Sequence, residues 1–463
     1  MPKHVILYRT GFSTLLIVLG ILLSLSLPAR ALPAIQEVTS PGGIHAWLVE
    51  DHRLPLFTLA FGFQGGVERD PADKQGLAVL TASLLAEGGA GPWDALTFQR
   101  RLANHGISFS VDAGRDAVRG VVRSPRDQRG VAVTMARLAL TAPRLDPRDF
   151  ERLRDRQKAA VRTLAGDTDW QARAVLLETV FPNHPYHQRS LGTEKTLNNL
   201  TLDDVRGLAR GLTRARLVVT AAGALTPQEL GKVVDQIFGA LPAALPDRTL
   251  LPAVWPETPV AVEVPREGEQ TRLMFALPLP RPTDPDWEAV EVANWILGGG
   301  GLTSRLAKAV REDAGLTYGI GTGLAPMELA SFLMGKTIVS NAEAGRVQGT
   351  ILDVWQRLRD EGPSQEDVAR AQDYVIGALP LALTSTASLA EGMLELRLDH
   401  RPPDEWAQHL ARLRAVTLED VRRVLDRWLD PSRLTWVALG APHGMTFTRA
   451  CTVPDGTGPA VCR

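Results

Sequence analysis

Apolar and polar positions change period several times along the 463 residues. In residues 43–66, "GIHAWLVEDHRLPLFTLAFGFQGG", two apolar runs flank a polar turn and predict two strands. The next stretch, residues 75–89, "QGLAVLTASLLAEGG", is apolar nearly all round and predicts a buried helix. Residues 124–161 carry a polar start, an amphipathic helix, a proline-marked turn and a second helix. Residues 410–429, "LARLRAVTLEDVRRVLDRWL", predict helix with Thr417 as N-cap. "ARLVVTAAG" at 215–223 and "RLTWVALG" at 433–440 predict strands. Strands fall in adjacent, hairpin-like pairs, which predicts α+β units of largely antiparallel sheet with helices on one face.

The pattern repeats. The helix–turn–helix motif that starts at Ser124 recurs from Ser340, and "TLDDVRGLA" at Thr201 recurs as "TLEDVRRVL" at Thr417. Both pairs are 216 residues apart (340 − 124 and 417 − 201). "LANHGISFSV" likewise answers "VREDAGLTYGI", with Gly106 opposite Gly315. Two copies of one unit are therefore expected, at 32–240 and 261–442. The proline-rich stretch at 241–260 reads as a linker, and 443–463 as a tail belonging to neither copy.

The N-terminus adds a destination. Lys3 and Arg9 precede an apolar run from Phe12 to Leu27, followed by Pro28-Ala29-Arg30-Ala31. This is the pattern of a secretory signal at 1–31, cut after Ala31, and it predicts a periplasmic protein. The rival is an uncleaved anchor, for which the run is short of the ~20 residues a span needs. No later segment approaches that length, so no stable span is expected after cleavage. The two cysteines, Cys451 and Cys462, are expected to pair as a disulfide that ties down the tail. Lys and Arg number 51 against 52 Asp and Glu, a net charge of -1, which gives no electrostatic basis for a nucleic-acid partner.

Residues 45–78, "HAWLVEDHRLPLFTLAFGFQGGVERDPADKQGLA", resemble the opening of the insulinase-like, or M16, zinc peptidases, and the resemblance extends over both repeats and the linker. It implies two homologous α+β domains that face each other like a clam shell. In that family the helix after the hairpin carries His-x-x-Glu-His, in which two histidines one helical turn apart hold Zn²⁺ and the glutamate activates its water. Here the motif falls on Val79, Leu80, Thr81, Ala82 and Ser83. Val79 and Ser83 stand for the histidines, Ala82 for the base, and Ala160 or its neighbour for a third ligand on a later helix. None of these side chains replaces an imidazole or carboxylate, so the resemblance implies a degenerate zinc site and no metal bound by this chain. His184 and His187 lie in "NHPYHQRS", where Pro185 makes a loop, and the family does not use its own His-Pro-Tyr there as a ligand.

The second repeat holds "LGGGGLTSRLAKAVREDAGLTYGIGTG" at 297–323. Gly298–Gly301 read as a flexible loop, Thr303 or Ser304 as a cap, Gly315 as a left-handed stop, and Tyr318 as part of the next strand. The run lacks the Gly-Lys-Ser/Thr ending of a phosphate loop, and Arg305 comes too late, so nucleotide binding is not expected. On residue chemistry alone, Arg311 suits a helix C-terminus and Tyr318 suits a strand. The resemblance implies more: an arginine and a tyrosine at this spacing donate hydrogen bonds to substrate or to a developing oxyanion. Arg311 and Tyr318, with Gly299, Gly300 and Gly301, are thus the candidate substrate-binding residues. No serine or cysteine sits in a recognisable nucleophile setting.

The reading that follows is a non-catalytic subunit of a periplasmic heterodimeric zinc metallopeptidase. The chain would supply Arg311 and Tyr318 to a homologous partner with an intact His-x-x-Glu-His, which holds the zinc. Unfolded peptides would be the substrates, bound by adding a strand to a sheet edge. The alternative is a periplasmic peptide-binding or scaffold protein without proteolytic activity.

Overall fold

The computed structural model describes residues 32–245, 249–454, 458 and 460–462. Residues 1–31, read above as a secretory signal, lie outside the described residues. Both repeats belong to one unit running from Ile35 onward.

In the first repeat the elements are β1 (Gln36–Thr39), β2 (His45–Glu50), β3 (Leu56–Gln64), α1 (Leu77–Glu87), α2 (Ala95–Asn104), β4 (Ser108–Ala113), β5 (Ala117–Pro125), α3 (Arg129–Thr141), α4 (Pro147–Leu164), α5 (Thr168–Val180), α6 (Glu194–Asn198), α7 (Leu202–Arg210), β6 (Leu217–Gly223) and α8 (Pro227–Phe238). The strands form a sheet of order β1-β2-β6-β3-β5-β4. The two runs around the polar turn are strands, but they are not a hairpin. β6 lies between them, parallel to β2 and antiparallel to β3. The reason is burial: β6 is shielded along almost its whole length, and such a continuous apolar run stabilises the fold most in the middle of a sheet.

The second repeat gives β7 (Ala261–Pro265), β8 (Gln270–Pro278), α9 (Trp287–Asn294), β9 (Ile320–Pro326), β10 (Ser331–Ser340), α10 (Ala344–Glu361), α11 (Gln365–Ala382), α12 (Thr386–Leu398), α13 (Glu405–Ala415), α14 (Leu418–Arg427) and β11 (Thr435–Gly440). The tail adds β12 (Arg449–Thr452) and β13 (Val461–Cys462), giving the order β13-β12-β7-β11-β8-β10-β9. The tail thus extends the second sheet, with β12 parallel to β7. The Cys451–Cys462 disulfide joins β12 to β13.

Two details carry the duplication. Thr201 and Thr417 both form capping boxes, in which aspartates three residues on accept the threonine N–H groups at 2.9 Å. Phe61 faces Gly120 across β3 and β5, and Phe275 faces Gly335 across β8 and β10. A Cβ at either glycine would lie 2.0 Å from the facing ring.

The fold class is α+β, as expected, but helices do not keep to one face. On β3, Leu59, Phe61 and Phe63 join a core with Ala82, Leu85, Val133, Met135 and Val233 from α1, α3 and α8. The alternate positions Thr58, Ala60 and Gly62 are small, and they admit α12 from the other repeat. Thr58 meets Thr386 at 2.9 Å, Thr220 donates to the Ala390 carbonyl at 2.7 Å, and Arg397 donates to the Val219 carbonyl at 2.8 Å. Reciprocally, α5 of the first repeat lies on the second sheet, where Val175, Leu176 and Val180 pack with Met274, Phe332 and Val437. Each fully buried Leu, Met or Phe in such a contact contributes roughly 1.5–3 kcal/mol, so the exchanged helices tie the halves together.

Candidate functional site

α1 begins at Gly76, whose φ of +92° favours glycine. Asp70 receives the N–H groups of Gly76 at 2.9 Å and Ala78 at 3.0 Å. Burial pushes its carboxyl up to about 7, against the pull of those hydrogen bonds. Val79 and Ser83, one turn apart, share a half-exposed face, while Ala82 is buried. Val79 does not extend the buried face as its side chain would suggest. Ala160 is exposed on α4, the helix packed against α1. The carboxylate at hand between these helices, Glu87, is held by Arg156 through two bonds of 2.7 Å. The four zinc positions therefore offer one hydroxyl and three aliphatic side chains, which do not fit Zn²⁺.

In the second repeat the glycine run is not a flexible loop. Residues 295–299 continue α9 as a π-helical turn. A Cβ at Gly298 would lie 2.5 Å from Thr322 Oγ1, one at Gly299 2.6 Å from Asn294 Nδ2, and one at Gly300 2.8 Å from the Trp295 carbonyl oxygen. These glycines allow close packing against β9 and the preceding helix. Gly301, with φ +60°, has open space around it. Ser304 caps the next helix, accepting from the Ala307 N–H at 3.3 Å, and Gly315 takes φ +62°. Arg311 lies on a π-helical stretch, Ala307–Asp313. It is half-buried and has no hydrogen-bond or ion-pair partner among the described residues. Tyr318 is not in the strand: Thr317 Oγ1 accepts the Gly319 N–H at 3.2 Å, which bends the chain two residues before β9. That bend leaves Tyr318 95% exposed. Tyr318 lines a trough of about 790 Å³ along β9; Gly299, Gly300, Gly301 and Arg311 do not.

The His-Pro-Tyr loop is structural. His184 Nδ1 accepts the Tyr186 N–H at 3.2 Å, and its Nε2 contacts the Leu251 carbonyl at 3.0 Å. His187 Nδ1 contacts the Phe181 carbonyl at 3.1 Å. Tyr186 donates to Asp116 at 2.5 Å and accepts the Leu329 N–H at 2.9 Å, pinning the β4–β5 turn to the β9–β10 turn. Sequence reasoning also missed Glu288, Glu405 and His409, whose ligand atoms lie within 4.8 Å of one another. Arg412 already bonds both carboxylates at 2.6 Å, so the group reads as a charge-compensated contact between α9 and α13. Glu405 and His409 sit one turn apart on α13, but Glu288 is over 100 residues away in sequence, so the chain gave no warning of the cluster.

The model for the family described as "Peptidase M16 inactive domain" matches residues 199–375. The non-peptidase homolog YmxG of Helicobacter pylori is 23% identical over 343 residues, which cover 72% of this chain and 77% of that protein. The uncharacterized zinc protease SCO5738 of Streptomyces coelicolor is 30% identical over 259 residues, 53% of this chain and 55% of that protein. The chain is thus similar to M16 peptidases, with the family model falling on 199–375. An M16 inactive-domain structure from Pseudomonas fluorescens superposes with a TM-score of 0.81 at 24% identity, covering 89% of this chain and 99% of that one. A chain from complex III of Candida albicans has the same fold at TM-score 0.74 and 16% identity, covering 89% of this chain and 97% of that one.

Proposed function

We propose that this M16-like chain is the non-catalytic, substrate-binding subunit of a periplasmic heterodimeric zinc metallopeptidase. The observation that carries the reading is an asymmetry. The α1 helix has no metal donor at the positions of the motif, while Arg311 and Tyr318 have no polar partner among the described residues. A half-buried guanidinium and an exposed phenol left unpaired are available to a peptide carbonyl, where they would stabilise charge that grows on its oxygen. The zinc and its activated water would come from a homologous partner with an intact His-x-x-Glu-His. The test is co-expression with such a homologue and purification by a tag on this chain. Co-purification in equal amounts, with zinc only when the partner is present, supports the reading. A chain that emerges alone sinks it.

The second reading is a periplasmic peptide-binding or scaffold protein. It is favoured by the trough beside β9, which a lone chain can fill, and it predicts peptide binding with no recruited peptidase.

A further inference from the structure

β9 is the outermost strand of its sheet and hydrogen-bonds only to β10. Exposed strand edges are normally guarded by charged side chains, prolines in mid-strand or bulges, because unpaired backbone groups invite another strand. β9, "IGTGLAP", carries no charge, and its only proline is the last residue. Instead it has glycine at 321 and 323. Lys336 pairs with Gly321, and Met334 with Gly323, so these positions share one sheet face. A Cβ at Gly323 would meet nothing within 4 Å, and neither glycine has a left-handed backbone. Glycine is thus not demanded here by conformation or crowding; what it provides is room for another backbone.

That room is the trough of about 790 Å³. Met334 and Ile338 give it an apolar floor, and Arg173, Arg272 and Lys336 stand around it. Asp169 on α5 bonds Arg272 and Lys336, the latter at 3.0 Å. Arg173, on the same helix, is exposed and has no hydrogen-bond or ion-pair partner among the described residues. Arg272 is also near Asp167, so three cations face two carboxylates.

We infer that the β9 trough binds an extended peptide that bears carboxylate side chains, the peptide adding a strand to β9 while its acidic groups meet Arg173, Arg272 and Lys336. Main-chain pairing supplies sequence-independent affinity, and the cations select by charge. This deepens the substrate-binding role proposed above and rests on it for the nature of the ligand, but it requires no partner subunit.

The experiment is fluorescence anisotropy of the purified chain with three unstructured peptides of equal length: acid-rich, neutral and base-rich. The acid-rich peptide should bind at least about 10-fold more tightly than the neutral one, and added salt should narrow that gap. Arg173→Glu, which breaks no contact, should erase the preference. Gly323→Val should weaken all binding while circular dichroism stays native, since the added side chain points into open space. Equal affinity for the three peptides, or unchanged binding by Gly323→Val, overturns the inference. So does a homodimer, seen by light scattering, that Gly323→Val dissociates, because a second copy would then fill the trough. A chain that binds acid-rich peptide but recruits no zinc-bearing homologue keeps the trough and removes the subunit assignment. A working complex without charge preference does the reverse.

Discussion

β4 and β9 end their sheets in the same way, each bonded on one side only, yet they offer different surfaces. β4, "SFSVDA", has a side chain at every position and carries Asp112. Its neighbour Arg119 on β5 is neutralised at 2.8 Å by Glu395 of α12, the helix exchanged from the other repeat. β9 is cleared of side chains at 321 and 323 and left beside an excess of cations. The frames behind the two edges are alike, down to the Phe–Gly pair in each sheet. Duplication kept what packs, and the differences gather where the sheet meets solvent. The same split holds for two buried aspartates that precede α1 and α9. Asp70 meets only backbone N–H groups and apolar surroundings, and burial raises it to about 7. Asp286 is also opposed by burial, but Trp428, Arg423 and Arg427 hold it below the usual range.

The strongest way to break the comparison is at the frame. Gly120→Val and Gly335→Val each force a side chain into a ring, and each should cost about 3 kcal/mol or more, read as loss of the cooperative unfolding transition or a large fall in its midpoint. If one half tolerates the change, the two frames are not equivalent. Next is Asp286→Asn, which strips an anion from two arginines and an indole and should cost roughly 1–3 kcal/mol in chemical denaturation. In the complex with a zinc-bearing partner, Arg311→Ala or Tyr318→Phe should lower turnover by at least about 10-fold while the subunits stay together on a sizing column. Turnover that survives both changes removes the site assignment.

The smallest effect sharpens the aspartate pair. Asp70 has a raised carboxyl, so its contribution to stability is complete below its unfolded value of 3.8 and is lost as pH rises through about 7. Asp286 is depressed, so its contribution is present above 3.8 and is lost only as pH falls below that. Denaturation at about pH 5 and about pH 8 should therefore show the cost of Asp286→Asn unchanged, while the advantage of wild type over Asp70→Asn shrinks at the higher pH. Parallel pH behaviour of the two variants would contradict these environments.

Much of this was legible in the chain. Strand and helix periods, the 216-residue offset, the cap at Thr417, the missing metal donors and the cysteine pair are local or positional signals. What was not legible depends on distant partners. β6 slips between β2 and β3 because all but its first residue is buried, and α12 crosses to the first sheet because Thr58, Ala60 and Gly62 leave a shallow face there. Gly298–Gly300 look like a loop in a string of letters, but their function is contact with Thr322, Asn294 and Trp295. Tyr318 fits a strand by residue type, and a threonine bend one residue earlier keeps it out.

The central claim is that this M16 homologue has lost the metal half of a peptidase and kept the half that holds substrate. The direct measurement is cleavage of an unstructured peptide by this chain, by a homologue with an intact His-x-x-Glu-His, and by the two together, each with and without a chelator. The account predicts chelator-sensitive cleavage by the pair and none by this chain alone. Cleavage by this chain alone, or a homologue whose full activity is indifferent to it, would contradict the account.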